Sequence, residues 1–157
     1  MTGIGRRALL RATALLVIAP RLAQARDYTS AGEVLDTIDG LAGDVESALS
    51  AIVTAVPGAE RFAASVRADH ARERADRDAI RARRRLAAAP AARTPSAATS
   101  LDALRTLQQE LVHAHAEGLP ALDDAAAVQV LARHLVEAAR RLTVIDLWIE
   151  LEAERAG

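Results

Sequence analysis

The sequence predicts an all-α fold, a four-helix bundle in one domain, and three observations support this prediction. Apolar residues recur at alternating steps of three and four along most of the chain after Tyr28, which is the spacing of helices that bury one face. Only 2% of the residues are aromatic, whereas β-sandwiches and barrels favour aromatic and β-branched side chains. The chain has 157 residues, of which 51% are apolar, and this is enough for one packed core.

Four helices are predicted, and each has a recognisable start or apolar face. The first begins at Ser30, where Ser30 and Glu33 form a capping box, and its apolar stripe runs from Leu35 to Val56. The third begins beside the capping residues Thr99 and Ser100. Acidic residues before the fourth helix suit the positive end of a helix dipole. The predicted helices lie at about 30–56, 59–86, 100–117 and 124–155.

The linker at 87–99 bears on how the helices are connected. Adjacent antiparallel helices need only about 2–8 connecting residues. Thirteen extended residues reach roughly 43 Å, and a helix of 25 residues is about 38 Å long. The linker can therefore cross the bundle from end to end, which favours two antiparallel hairpins joined by a long crossover between the second and third helices (B–C). A loop in a simple up-and-down bundle is the alternative.

Residues 1–25 have the order of an export signal. They contain four arginines and no acid, an apolar run from Ala12 to Ala19, and a small-x-small cleavage site that ends at Ala25. Arg6 and Arg7 precede an apolar pair, as in twin-arginine signals; an ordinary secretory signal or a buried first helix are the alternatives. The apolar run is shorter than the roughly 20 residues of a membrane span. We therefore expect export to the periplasm or cell envelope, with cleavage after Ala25 and no stable membrane anchor.

Composition excludes several classes of function. All 20 basic residues are arginine and there is no cysteine, which rules out Schiff-base lysines, disulfides and thiolate nucleophiles. The net charge is −1, so no phosphate-attracting field covers the molecule. Few aromatic side chains are present for base stacking. We expect no nucleic-acid partner, and no catalytic spacing of residues can be identified.

Polar residues on predicted core faces mark the candidate site. At 100° per residue, the apolar line of the second helix passes through Asp69 and Glu73, with His70 at its edge. His115 falls inside the leucine stripe of the third helix, and His134 lies at the edge of the fourth stripe. Buried carboxylates need a partner, which could be an arginine such as Arg77 or a metal ion. The alternatives are a network of ion pairs between these acids and arginine, or a partial metal site formed by Asp69, His70, Glu73, His115 and His134.

With its signal, helices and linker, the chain resembles exported bacterial ferritin-like domain proteins. The resemblance includes the stretch Asp69-His70-Ala71-Arg72-Glu73 and the sequence Glu137-Ala138-Ala139-Arg140 on the last helix. It implies a ferritin-like bundle around a site of the di-iron type. Three departures weaken that site: the first stripe is apolar, with acids only at its margin; Arg67 stands where an acid is expected; and Arg140 stands where a histidine is expected.

Two hypotheses of function follow. The first is a non-enzymatic structural or interaction module with a degenerate metal site and no cofactor. The second is a redox or metal-handling protein that binds iron or manganese, or another cofactor, through the partial site.

Two surfaces are candidates for binding partners. The end of the fourth helix is apolar on nearly all sides, so either the linker covers it or it forms a homodimer contact through Val144, Leu147, Trp148 and Leu151. The arginines from Arg81 to Arg85 suit the negative end of the second helix and are expected to be solvated, with docking of an anionic partner as a weaker hypothesis.

Overall fold

The computed structural model describes residues 26–90 and 100–156, and this part of the chain contains four α-helices, one 3₁₀ turn and no strand. The helices are α1 (Ala31–Ile52), α2 (Ala59–Arg84), α3 (Leu101–Gly118) and α4 (Ala125–Ala156), and the turn is Leu119–Ala121. The all-helical prediction is confirmed. The predicted signal at 1–25 lies outside the described residues, as do residues 91–99 of the linker.

The four helices pack in a ring. α1 lies against α2 and α3, and α4 lies against α3 and, more loosely, α2. In each pair an early residue of one helix meets a late residue of the other, so the packed pairs are antiparallel. The contacts that show this are Asp36–Arg81 and Glu46–His70 for α1 and α2, Val34–Gly118 for α1 and α3, Arg105–Asp146 and His115–His134 for α3 and α4, and Asp69–Arg141 and Asp76–Arg133 for α2 and α4.

The starts of three helices are capped as their sequences predict. Ser30 accepts a hydrogen bond from the Glu33 amide, while the Glu33 carboxylate accepts one from the Thr29 amide. Ser100 caps α3 through the Ala103 amide. Asp124 caps α4 through the Ala126 amide.

Two helices end earlier than predicted. α1 ends at Ile52 rather than residue 56, and residues 53–55 form a turn. Pro57 disfavours helical backbone at Val56, the residue before it. α2 ends at Arg84 because Arg85 adopts the left-handed conformation, with φ 55°. The amides of Arg85 and Leu86 then bond to the carbonyls of Ala82 and Arg81, which is a Schellman ending. Glycine usually marks such an ending in a sequence, and here an arginine takes its place.

The core combines an apolar layer with buried polar groups. Leucine, isoleucine and valine side chains of α1 are fully buried against α3, together with Leu104, Leu111, Leu131 and Ile145 from α3 and α4. α2 contributes few large apolar residues, and half of its buried residues are polar or charged. Within residues 26–90 and 100–156, no helix combines the length and apolar character that a bilayer crossing requires.

Candidate functional site

The buried face of α2 brings charged groups into the middle of the bundle. Glu73 and Arg77 lie one turn apart on this helix and are 5% and 0% exposed. From α3, His115 is buried beside them. From α4, His134 and Arg141 approach from the other side, and both are buried. These five residues form what we call the central polar cluster.

Glu73 is paired with an arginine that helical spacing on α2 alone does not identify. Arg141 donates a hydrogen bond from Nη2 to Oε1 of Glu73, and the same nitrogen lies 3.6 Å from Oδ2 of Asp69. Burial alone would raise the pKa of Glu73, but the hydrogen bond and charge of Arg141 outweigh it and lower that pKa. Glu73 is therefore an ionised carboxylate whose charge is compensated within the protein.

A second buried carboxylate comes from α1. Asp39 is only 7% exposed and accepts a hydrogen bond of 2.8 Å from Nε of Arg77. Nη2 of Arg81 lies 2.7 Å from the other oxygen of Asp39. The expectation that the core face of this helix is free of acids is therefore wrong, because two arginines of α2 draw Asp39 inward.

The expectation of a solvated arginine cluster at the end of α2 is wrong for Arg81. Its side chain is almost fully buried and contacts Asp36, Asp39 and Asp78. Burial alone would lower the pKa of Arg81, but its hydrogen bonds to Asp39 and Asp36 outweigh this and raise that pKa. Arg83 and Arg85 are exposed. The arginine cluster is therefore divided: Arg81 lies in the interior and is paired with acids, whereas Arg83 and Arg85 lie at the surface.

Three buried histidines share one arrangement of hydrogen bonds. His70 Nδ1 lies 3.0 Å from Oε1 of Glu46, His115 Nδ1 lies 2.8 Å from the Leu111 carbonyl, and His134 Nε2 lies 3.0 Å from Oδ2 of Asp76. Carboxylates and carbonyls only accept, so in a neutral ring the nitrogen facing them carries the proton. The second ring nitrogen then bears a lone pair. Within the described part of the chain, that second nitrogen has no hydrogen-bond partner in any of the three rings.

Burial keeps the two histidines of the central polar cluster neutral. It lowers the pKa of His115 to about 4, and the nearby charge of Arg77 contributes to the lowering. Burial also lowers the pKa of His134, although the hydrogen bond to Asp76 opposes this. The two ring centroids are 6.1 Å apart with the planes nearly perpendicular. Each ring therefore offers a bare nitrogen at neutral pH.

The five residues of the predicted partial site are only partly brought together. Glu73, His115 and His134 lie in the central polar cluster. His70 is buried but pairs with Glu46 on the α1 side. Asp69 was expected in the core and instead lies at its edge, with a side chain that is 25% exposed and bonded to Arg72.

The described residues contain no group of three or more histidine, aspartate, glutamate or cysteine side chains arranged to hold a metal ion. Of the predicted ligands, Glu73, Asp69 and His134 line one cavity, but Arg141 lines the same cavity and forms ion pairs with both carboxylates. A guanidinium group therefore supplies the positive charge beside these acids.

A signal for Arg141 is present in the sequence. His134, Ala138, Arg141 and Ile145 follow each other at steps of four, three and four, and all four are buried. Arg141 therefore continues the buried stripe of α4, whereas its neighbour Arg140 is exposed and bonds to Glu137.

Comparison of the chain with protein-family models, curated proteins and solved structures finds no match in any of the three.

Proposed function

We propose that the chain is an exported, ferritin-like helical module without enzymatic activity, in which arginine–carboxylate pairs replace a metal site. The two buried carboxylates, Asp39 and Glu73, carry this proposal, because each is bound by a guanidinium group. Removing a carboxylate from water requires a compensating charge. In a metal-containing bundle the ion supplies it; here Arg77, Arg81 and Arg141 do so.

The order of the helix contacts supports a ferritin-like connection. Arg84 at the end of α2 contacts Asp123 just before α4, whereas Arg105 near the start of α3 contacts Asp146 late in α4. The end of α2 and the start of α3 therefore lie near opposite ends of α4. We propose that residues 87–99 form the crossover between two antiparallel hairpins.

Metal content tests the proposal that arginine–carboxylate pairs replace a metal site. We expect protein purified from its native envelope to contain iron and manganese well below one atom per chain, by elemental mass spectrometry. We also expect an unchanged melting temperature after treatment with a chelator, since no ion contributes to folding. One tightly bound atom per chain would contradict the proposal.

A metal- or cofactor-binding function is the second candidate, and the bare histidine nitrogens favour it. Ligating histidines in metal sites bond their other nitrogen to a carboxylate or carbonyl, as His70, His115 and His134 do. Stoichiometric iron or manganese, lost in Glu73→Ala and retained in the surface variant Glu150→Gln, would establish this function instead.

Export is tested through its signal residues. We expect Arg6→Lys together with Arg7→Lys to block release of the chain from the cytoplasm, and sequencing of the exported protein to begin at Arg26. If export persists in the double variant and stops when the general secretion machinery is inhibited, the ordinary secretory alternative is correct.

A homodimer through the end of α4 is the interaction we propose for this module. Leu147 and Leu151 are 53% and 48% exposed, while Trp148 packs edge-to-face against Phe62 with ring centroids 4.9 Å apart. Light scattering over a range of concentrations tests it. We expect Leu147→Glu to shift the protein toward monomer and Gln129→Glu, at an exposed site on the same helix, to leave it unchanged; a monomer at every concentration would refute the dimer.

A further inference from the structure

The outward face of α2 is rich in arginine. Six arginines on this helix and at its end are exposed: Arg61, Arg67, Arg72, Arg74, Arg83 and Arg85. Arg72 is paired with Asp69. The other five form no ion pair with an acid among residues 26–90 and 100–156. The exposed acids of α2 are Glu60 and Asp78, so the helix presents positive charges that the protein itself does not neutralise.

Charge is unevenly distributed over the bundle. Residues 59–85 contain nine arginines and five acids, a net charge of +4. Residues 26–58 contain one arginine and six acids, and residues 100–156 contain five arginines and ten acids, so each of these segments has a net charge of −5. Because each helix is about 10–12 Å across, acids on the far side of the bundle lie beyond the roughly 8 Å Debye length of physiological salt. A negative surface in front of α2 therefore interacts mainly with its arginines.

Most of these arginines follow two nearly straight lines along the helix. Arg61, Arg72 and Arg83 are separated by 11 residues each, and Arg67 and Arg74 by 7; these spacings are close to three and two turns. The first line extends over about 33 Å, since the helix rises about 1.5 Å per residue. Exposed alanines lie between the two lines: Ala64, Ala68, Ala71, Ala75 and Ala82. The surface is therefore long, flat and positively charged.

The absence of large apolar side chains from this face favours a lipid partner over a protein. Among residues 26–90 and 100–156, the exposed large hydrophobic residues are Val136, Leu147 and Leu151, all on α4. Stable protein interfaces have an apolar, desolvated centre, which the face of α2 cannot form. Anionic lipid surfaces bind clusters of about four to eight basic residues through charge. Guanidinium groups also match phosphate oxygens with paired hydrogen bonds.

We propose that the outward face of α2 binds the surface of an anionic phospholipid bilayer. The helix lies parallel to the bilayer, and its unpaired arginines contact lipid phosphates. Insertion into the hydrocarbon is not part of this contact, because the face exposes no apolar side chain larger than alanine. The binding requires neither export nor a ferritin-like connection, so it stands independently of the function proposed above.

Sedimentation of the full chain with vesicles tests the proposal. We expect binding at about 0.1 M salt to vesicles of equal parts phosphatidylglycerol and phosphatidylcholine, and none to vesicles of phosphatidylcholine alone. Raising the salt to about 1 M should release the protein, since the Debye length then falls to roughly 3 Å. Folded protein that leaves the anionic vesicles unbound at the lower salt, or that binds both kinds of vesicle equally, would refute the proposal.

Variants locate the binding face. Arg61→Gln with Arg83→Gln removes two arginines of the first line, and we expect about 30-fold weaker binding to anionic vesicles, since each basic residue near such a surface contributes about fivefold. Arg140→Gln with Arg155→Gln removes two exposed arginines of α4 and is the matched control of equal net charge, with binding unchanged. All four side chains are exposed, and circular dichroism verifies that both variants fold. Equal losses in the two variants would show that net charge, rather than the face of α2, determines binding.

Polyglutamate distinguishes a lipid surface from an acidic protein. We expect the chain to stay on anionic vesicles when polyglutamate is added at the same concentration of negative charges, because its carboxylates lack the phosphate groups of the lipid. If polyglutamate releases the wild-type chain from the vesicles, the face of α2 binds acidic protein and the lipid proposal is wrong.

Discussion

Glu73 and Arg141 form a buried ion pair that joins the two most loosely packed neighbours in the ring of helices. The carboxylate oxygen Oε1 accepts from Nη2 of the guanidinium group, and both residues are 5% exposed. α2 has few large apolar residues on its inner face, so polar contacts such as this pair form a large part of the contact between α2 and α4.

Removing one partner of this pair is expected to be more harmful than removing both. Glu73→Ala leaves the buried Arg141 charge with only the partly exposed Asp69 carboxylate, 3.6 Å away, as a counter-charge, and breaking a buried pair by removing one partner costs about 3–5 kcal/mol. Replacing both residues, Glu73→Leu with Arg141→Met, removes the buried charge and restores apolar packing. We expect chemical denaturation to show a smaller loss of unfolding free energy in the double variant than in Glu73→Ala.

The matched control is Glu137→Ala, which breaks a pair of the same type with Arg140 on the surface. Because that pair is exposed, its loss should cost about 0–1 kcal/mol. Equal losses in Glu73→Ala and Glu137→Ala would show that the interior pair is hydrated and contributes no more than a surface pair.

Stability is expected to fall between pH 6.5 and about pH 4. The pKa of His115 is lowered from 6.5 to about 4 in the folded protein, so in this window the unfolded chain binds a proton that the folded chain excludes. Stability is therefore complete above pH 6.5 and decreases as the pH falls toward 4. At 1.36 kcal/mol per pH unit the loss from His115 is about 3 kcal/mol, and His134, whose pKa is also lowered, adds to it.

Denaturation at a series of pH values, compared between wild type and His115→Gln, measures this contribution. The variant should lose part of the slope between pH 6.5 and 4. The pKa values of Glu46, Glu73 and Asp76 are also lowered, but these acids affect stability below about pH 4.5, the ordinary range of carboxylates. An unchanged slope in His115→Gln would mean that this ring is already protonated or hydrated at pH 6.

Gly118 is expected to be irreplaceable at the close approach of α3 to α1. A Cβ atom there would collide with the Cγ1 atom of Val34, which is fully buried, so Gly118→Ala should cost about 1–3 kcal/mol through overpacking. Gly43→Ala on α1 meets open space and should instead stabilise the helix by about 0.5–1 kcal/mol. Melting temperatures of the two variants should move in opposite directions.

Val34→Ala provides the rescue for this prediction. By removing the methyl groups that obstruct a Cβ at residue 118, it should reduce the extra cost of Gly118→Ala when the two changes are combined. Additive losses in the double variant would place the strain elsewhere.

The helices could be predicted because their signal is local. The apolar spacing and the caps at Ser30 and Ser100 depend on neighbouring residues only, and both caps are present. The early end of α2 could not be predicted in this way, because a non-glycine residue, Arg85, adopts the left-handed conformation. Nothing in the residue type at position 85 marks that ending in advance.

Helical spacing predicted the burial of some candidate residues and not of others: Asp69 was placed on the apolar line and has a side chain that is 25% exposed. Glu73 and His115 were placed inside the bundle by helical spacing alone, and both are buried. Asp39 lies at the margin of its apolar stripe, where helical spacing does not determine whether a side chain is buried or exposed. Its burial follows from its ion pairs with Arg77 and Arg81 on another helix. Pairing between helices is therefore what a single sequence leaves undetermined.

Asp39 is expected to be far more important for stability than Asp36, although both contact Arg81. Asp39 is almost fully buried between Arg77 and Arg81. Asp39→Asn therefore removes the carboxylate partner of the fully buried Arg77 and leaves Arg81 with only the exposed Asp36 and Asp78, and it should cost about 3–5 kcal/mol. Asp36 has a side chain that is 48% exposed, and Asp36→Asn should cost about 0–1 kcal/mol. Denaturation midpoints of the two variants provide the comparison, each replacing one carboxylate by its isosteric amide on the same helix. Similar midpoints would show that water reaches Arg77 and Arg81, and that the interior charges of this bundle are solvated.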